Sequence, residues 1–426
     1  MQDFFKSSSI YFLGSLLNKV LGIILIPIYA NILSVEEFGI LSMVVIIFTL
    51  VSHMQLAGIS SAAMRLYHDY ENEIKRKILY GNATLLCIII IPFSYLFFYY
   101  SISFTNNYIL KSIHFSPLLH LSIIMGLLSP IQKLTIGLFR TIDKPNAFIL
   151  FNFFFALINF SSIIIALFIF KSSILFVIYA QIFSNSVFFV ISLIILVNYS
   201  IFKINTDLLI KISTVGMPLI PFFLFNWINK FANRFFLEHS DSLNELGLYS
   251  FSVRFSDMIL LVLLALSNAL LPYYYKMAKE DNFEEKLNDL IILLTAFIGL
   301  FSISIILFSN PFILLFIPQD YHSSLEYIPY LIFASGILLY DRFFYFSMMN
   351  QKRTKIISSI SFVTTLVCIS LLYIFILKKG YGIWGIIYSS IITNVFSIIA
   401  GYIFSQINSK IDYKFKKIIF LILFYI

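Results

Sequence analysis

LIILLTAFIGLFSISIILF, residues 290–308, runs for nineteen residues without a charge. As a helix it would rise about 28 Å at ~1.5 Å per residue, close to the roughly 30 Å hydrocarbon thickness of a bilayer. Runs of this kind recur on both sides of it. Across 426 residues, 60% are hydrophobic and only 12% charged, with a mean hydropathy of +0.93. A soluble domain carries about a quarter charged residues. The runs are continuous and do not alternate as barrel strands do, so the spanning elements are helices. The chain reads as an all-α integral membrane protein.

The hydropathy pattern predicts twelve transmembrane helices, at about 8–33, 39–64, 78–100, 115–139, 147–170, 173–198, 213–237, 246–274, 287–308, 324–349, 356–377 and 382–405. The first run is too long for a signal-peptide core and lacks a small-residue cleavage site, so it counts as a span. A last apolar run, 418–426, follows KIDYKFKK and is too short to cross. With the N-terminus inside, nineteen Lys and Arg fall in cytoplasmic segments; only Lys111, Lys171, Lys378 and Lys379 lie on the other side. This positive-inside bias puts both termini in the cytoplasm. The net charge of +8 is therefore a topology signal and a contact with anionic lipid, not a nucleic-acid surface.

The pattern also repeats. EEFGILS (36–42) separates spans one and two, and NELGLYS (244–250) separates spans seven and eight; Gly39 and Gly247 are 208 residues apart. Six spans per half give parallel repeats about an axis along the membrane normal. The expected organisation is an N-terminal lobe over 1–205, a C-terminal lobe over 206–410 and a basic tail with a short apolar end over 411–426. A substrate site is expected in a central cavity between two six-helix lobes related by pseudo-two-fold symmetry.

Six basic residues fall inside spans: Lys19, Lys133, Lys230, Arg234, Arg254 and Arg342. Only Asp257 and Asp341 oppose them there. A charge at the bilayer centre costs roughly 2.5–3.5 kcal/mol, so such residues face a bundle interior or a wet cavity. In LFNWINKFANRFF (224–236), Asn226, Asn229, Lys230, Asn233 and Arg234 recur at three- and four-residue steps and share one face, with Trp227 and Phe231 on the greasy side. Ser129, Lys133 and Arg140 align likewise, beside Gln132, as do Ser15, Asn18, Lys19 and Gly22. Lys133 and Arg342 read equally well as snorkelling cations. Arg65 and Arg140 at the inner rim read as topology anchors. Arg254 can pair with Asp257 three residues on, whereas the adjacent Asp341 and Arg342 do not face each other. His53 and Gln55 read as interhelical hydrogen-bonding groups. Asp257 or Asp341 is either an ion-pair partner or the carboxylate of proton or sodium coupling.

Cys87 and Cys368 lie in apolar runs and read as core fillers, with no disulfide framework or metal site. No phosphate-binding G-x-x-x-x-G-K-[ST] loop, H-E-x-x-H or G-x-S-x-G occurs, and no loop is large enough for a soluble catalytic domain. No cofactor is implied.

ANILSVEEFGILSMV (30–44), LAGISSAAMRLYHDY (56–70), GMPLIPFFLFNWINKFANRFFL (216–237), ELGLYSFSVRF (245–255) and SNALLPYYYKM (267–277) together resemble the Wzx-type O-antigen and capsule repeat-unit flippases of the multidrug/oligosaccharidyl-lipid/polysaccharide exporter superfamily. The resemblance covers nearly the whole chain. It implies alternating access by two six-helix lobes. It further implies transfer of an undecaprenyl-diphosphate-linked oligosaccharide from the cytoplasmic to the periplasmic leaflet of a bacterial inner membrane. The family's cation-lined lumen would correspond here to Lys19, Lys133, Lys230, Arg234, Arg254 and Arg342, with Asn226 and Asn233 beside them and Arg65 and Arg140 at the rim. A polysaccharide polymerase and a chain-length regulator would be its partners. The alternatives are a drug or cation antiporter of the same superfamily, which would favour an acidic lumen, and a membrane polysaccharide polymerase or ligase, which would need a large periplasmic loop. Many relatives carry further C-terminal spans, and the expectation for this sequence is a bundle without them.

Overall fold

The computed structural model describes residues 14, 21–56, 58–109, 113, 115–169, 174–240, 242–351, 353–407 and 411–413. Lys19 and the apolar run 418–426 lie outside them. Among the described residues every regular element is helical. Eleven helices are long and apolar enough to cross a membrane, and the shorter apolar helix Leu21–Ile32, α1, belongs to the first predicted span.

The other helices are α2 (Val35–Leu56), α3 (Ile59–Tyr67), α4 (Glu73–Ile109), α5 (His120–Thr141), α6 (Pro145–Ile169), α7 (Ile174–Tyr199), α8 (Thr206–Gly216), α9 (Ile220–His239), α10 (Leu243–Met277), α11 (Phe283–Phe316), α12 (Ile328–Gly336), α13 (Leu338–Asn350), α14 (Thr354–Leu372) and α15 (Gly382–Gln406). The repeat is visible in the starts of these helices. α2 and α10 begin at residues 35 and 243, and α7 and α15 at 174 and 382, each pair 208 apart. Both α2 and α10 follow a Ser-x-x-Glu step. Ser34 and Glu37 close a capping box, Glu37 accepting from the Ser34 N–H at 3.0 Å and Ser34 Oγ from the Glu37 N–H at 3.2 Å. In the second copy Ser242 Oγ again accepts from the Glu245 N–H, but the Glu245 carboxylate takes the N–H of Ile383 instead.

Three predicted single spans are broken. Span two divides at Gly58, whose φ of 71° no β-branched or bulky residue adopts readily. A Cβ there would stand 2.5 Å from the Gly216 carbonyl oxygen. Span seven divides just after Gly216, where Met217–Leu219 form a 3₁₀ turn holding Pro218, which has no N–H to give a helix. Span ten divides between α12 and α13 at Ile337. Span eight, the counterpart in order of span two, is the unbroken 35-residue α10.

Contacts group the chain into two compact units, Met1–Phe231 and Ala232–Ile426. The boundary falls within α9, later than the 205/206 junction expected from the repeat. Packing explains the placement of α8: Leu208 and Ile212 enter one core with Ile59, Ala62 and Leu66 of α3, Leu79 and Ala83 of α4 and Ile131 of α5. The preceding loop is tied down as well, because buried Asn82 donates to Lys203 O at 2.9 Å and accepts from the Asn205 N–H at 3.0 Å. In the second unit, Asn288 donates to Asp412 O at 2.8 Å, and Tyr413 is buried against Phe344 and Tyr402. The tail therefore starts as a docked segment.

Candidate functional site

In the first unit the predicted polar face of α5 meets α2 because glycine lets the backbones close. A Cβ on Gly126 would lie 2.6 Å from Val51 Cβ and 3.1 Å from Phe48 O. Small residues at such contacts are how membrane helices approach closely. Three residues past Gly126, Ser129 reaches Ser52 of α2 in a hydroxyl–hydroxyl hydrogen bond. One turn further, Lys133 Nζ donates to Ser52 Oγ at 2.7 Å. Ser129 Oγ donates to Gly126 O at 3.3 Å, so Ser52 is left to donate to Ser129. The chain of donors therefore runs one way, from Lys133 through Ser52 and Ser129 to a backbone carbonyl. An ammonium has three donors; among the described residues Ser52 is the single hydrogen-bond partner of Lys133 Nζ, and Lys133 has no ion pair.

Trp227 of α9 closes the other side. Its indole N–H reaches Ile46 O and Thr49 Oγ1, both at 3.3 Å. The sequence pattern places Trp227 on the greasy face; the ring is apolar, but its polar tip serves α2. His53 holds Thr49 O through Nδ1 at 2.6 Å, packs its ring 6.2 Å from that of Phe223, and lies within electrostatic reach of both Lys133 and Lys230. Its hydrogen bond is thus within its own helix and not interhelical; Gln55 does bond across helices, to Cys87 O at 3.4 Å. Lys230 is exposed, its ammonium 5.3 Å from the Phe231 ring centroid. Asn226 and Asn229 are exposed with it. Lys133, His53 and Lys230 thus converge with hydroxyl and indole donors, an arrangement that suits an anion.

In the second unit Arg234 is buried, at 9% exposure, with its guanidinium 5.3 Å from the Tyr249 ring centroid. Asn233 donates to the Tyr249 hydroxyl. Tyr249 also stands within electrostatic reach of Asp257, while Arg254 is exposed. Asp341 accepts from Ser397 of α15 at 2.8 Å, and the neighbouring Arg342 keeps a buried Nε without a hydrogen bond among the described residues. Of the rim residues, Arg65 is exposed at the end of α3, and Arg140 lies 4.9 Å over the Phe148 ring. Ser52, Thr49 and Tyr249 carry no sequence signal of their own, since each is a small or amphipathic residue in an apolar helix. Glu238, wholly buried one turn after Arg234, falls just past the predicted end of span seven. No group of three or more His, Cys, Asp or Glu able to hold a metal occurs among the described residues.

Comparison with known proteins agrees with this picture of the fold. The profile of a family described as "Polysaccharide biosynthesis protein" matches residues 4–278, and that of the family MatE matches residues 218–374. No curated protein sequence matches. Among solved structures, the lipid II flippase MurJ in an inward closed conformation has a TM-score of 0.74 at 18% identity, over 97% of this chain and 90% of that one. A multidrug resistance MATE family transporter of the MOP superfamily, in its inward-facing conformation, gives 0.69 at 13% identity, over 96% and 95%. An outward-facing structure of such a transporter gives 0.61 at 14%, over 97% and 95%. At these identities the likeness is one of fold.

Proposed function

The chain belongs to the polysaccharide biosynthesis protein family, and from that premise we propose that it is a transporter that carries a lipid-linked oligosaccharide across the membrane. The substrate is an undecaprenyl-diphosphate-linked O-antigen or capsule repeat unit, moved from the cytoplasmic to the periplasmic leaflet of a bacterial inner membrane by alternating access. A polysaccharide polymerase and chain-length regulator take over the product. The observation that carries this reading is the Lys133–Ser52–Ser129 relay beside His53 and Lys230, a set of bases with no carboxylate partner among the described residues. A diphosphate presents several acceptor oxygens and negative charge, which is what such donors receive best. In this reading substrate binding is assigned to Lys19, Lys133, Lys230, Arg234, Arg254, Arg342, Asn226 and Asn233, with Arg65 and Arg140 as rim residues. Proton or sodium coupling would fall to Asp257 or Asp341.

Replacing Lys230 and Arg234 together with Ala, at unchanged membrane abundance, should abolish surface polysaccharide and leave the lipid-linked unit on the inner leaflet. Normal surface polymer would sink the proposal. The MatE match over 218–374 favours a second reading, a drug or cation exporter. In that case deleting the protein changes drug sensitivity and leaves surface glycan intact.

A further inference from the structure

One end of the Ala232–Ile426 unit carries a ladder of aromatic rings, built on a turn that cannot move freely. Gly380 and Gly382 have φ of 67° and 53°. The Tyr381 N–H is bound by Phe375 O at 2.9 Å, the Gly380 N–H by Ile376 O at 3.0 Å, and the Ile383 N–H by Glu245. From this turn Tyr381 stacks on Phe375 with centroids 6.0 Å apart and planes 14° from parallel. Both rings meet Tyr388, at 6.3 and 6.2 Å. Tyr388 lies 5.9 Å from Trp384 at 28°. Trp384 is flanked edge-on by Tyr330 at 5.0 Å and Tyr327 at 5.7 Å. The Lys379 ammonium sits 5.5 Å from the centroids of both Phe375 and Tyr381, and that of Lys378 sits 5.4 Å from Tyr373. Tyr330, Tyr381, Tyr388 and both lysines are exposed.

Tyr and Trp gather at membrane interfaces as anchors, and an anchoring role would apply equally to both halves of the repeat. It does not account for this ladder. The residues 208 positions before Tyr327, Tyr330, Phe375 and Tyr388 are Leu119, Ser122, Leu167 and Ala180; only Trp384 has an aromatic counterpart, Phe176. The ladder belongs to one half alone. It also concentrates two of the four basic residues assigned to the face opposite the termini.

We propose that this ladder is a binding surface for an acidic glycan, with pyranose rings lying on Tyr330, Trp384 and Tyr388 and the negative groups held by Lys378 and Lys379. The C–H face of a sugar ring is apolar and packs on an aromatic face, while the ring hydroxyls stay solvated at its rim; Glu326, exposed and beside Tyr327, offers them an acceptor. Aromatic faces also attract cations, which places Lys379 ready for a phosphate or carboxylate without a long search of rotamers. The inference rests on the transport reading above: the ladder would receive the sugar headgroup as it leaves.

The chain has two tryptophans, Trp227 and Trp384, so Trp227→Phe leaves Trp384 as the sole emitter. The full-length variant in phosphatidylcholine nanodiscs is titrated with 3′-sialyllactose as acidic probe and maltotriose as neutral probe. A saturable change in Trp384 emission is expected with the acidic sugar, at least tenfold weaker with maltotriose and at least tenfold weaker after Lys378→Ala/Lys379→Ala. In cells that double variant should lower surface polymer severalfold at unchanged membrane abundance. An emission change that follows phosphatidylglycerol content and ignores both sugars identifies an interfacial anchor and overturns the proposal. So does equal binding by the lysine double variant. The Lys230→Ala/Arg234→Ala protein should still bind sialyllactose; if it does while those substitutions spare surface polymer, the transport reading fails and the glycan surface stands.

Discussion

Lys133→Met separates a functional cation from a structural one, because the two predict opposite signs in two measurements. Methionine keeps the length of the lysine stem and fills the same space between α2 and α5. The Ser52–Ser129 bond survives the change, as does the donation of Ser129 to Gly126 O. What disappears is one ammonium in the protein interior. Two unit charges 4 Å apart interact by about 4 kcal/mol at the effective dielectric constant of ~20 that suits protein sites. A hydrogen bond to a charged group contributes roughly 1.5–3 kcal/mol net. Losing Lys133 should therefore weaken diphosphate recognition by about 3–4 kcal/mol, between two and three decades at ~1.4 kcal/mol per decade. The fold should respond the other way. Desolvating an ammonium costs several kcal/mol, and replacing buried charge by apolar groups of similar volume is often neutral or stabilising. The substrate-free Tm should rise by a few degrees or stay level. Flipping of a fluorescent polyprenyl-diphosphate sugar in proteoliposomes, with thermal unfolding of the same preparations, reads both quantities. Unchanged flipping, or a clear fall in Tm, would refute the reasoning.

Four further substitutions test the scaffold. Gly126→Ala drives a methyl into Val51, a buried β-branched side chain 2.6 Å away, and should cost about 1–3 kcal/mol of stability, read as a lower Tm; Gly137→Ala should be milder, since its near neighbour at 2.5 Å is the Ser60 hydroxyl, which can rotate away. Glu245→Ala removes the acceptor for the Ile383 N–H and should cost about 1 kcal/mol, in the range of other helix-cap losses, with faster amide exchange at 382–384. Lys77→Ala breaks an exposed i,i+4 pair with Glu73 at 2.9 Å and should leave Tm unchanged, because surface pairs of this kind contribute little.

The class of fold was readable because length and apolar continuity are properties of single segments, and a bilayer demands both. The repeat was readable for a related reason: EEFGILS and NELGLYS start helices that the structure places 208 residues apart, as the Gly39–Gly247 spacing anticipates. Broken spans were not readable. Gly58 and Gly216 look like isolated glycines in apolar runs, and only their meeting in space shows why Gly58 cannot carry a side chain comfortably. The site was legible in part. Helical spacing singles out Lys133, Lys230 and Arg234 as candidates, since a cation in hydrocarbon is a strong signal wherever it occurs. It could not find Ser52 or Thr49, whose importance depends on which helix lies opposite. It placed Trp227 by its ring and missed the role of its N–H. The repeat puts the division of the chain at residue 205; α8 packs with α3 and α4 in one core, and the first compact unit runs to Phe231.

The paired helix starts of the repeat show how two copies of one motif diverge together. Glu37 stays with its own serine; Glu245, its equivalent, leaves Ser242 and binds the turn that begins α15. Room for that exists because residue 382 is glycine: a Cβ there would fall 2.2 Å from the Glu245 carboxylate. In the first half the position 208 residues earlier is Ile174. The glutamate is common to both copies, and the residue that decides its use lies more than a hundred positions away. Residues 245 and 382 therefore form a linked pair: a side chain at 382 is accommodated only where the glutamate at 245 moves aside or is replaced by a shorter residue. Exchange of segments between the halves should respect that linkage before any similarity of sequence.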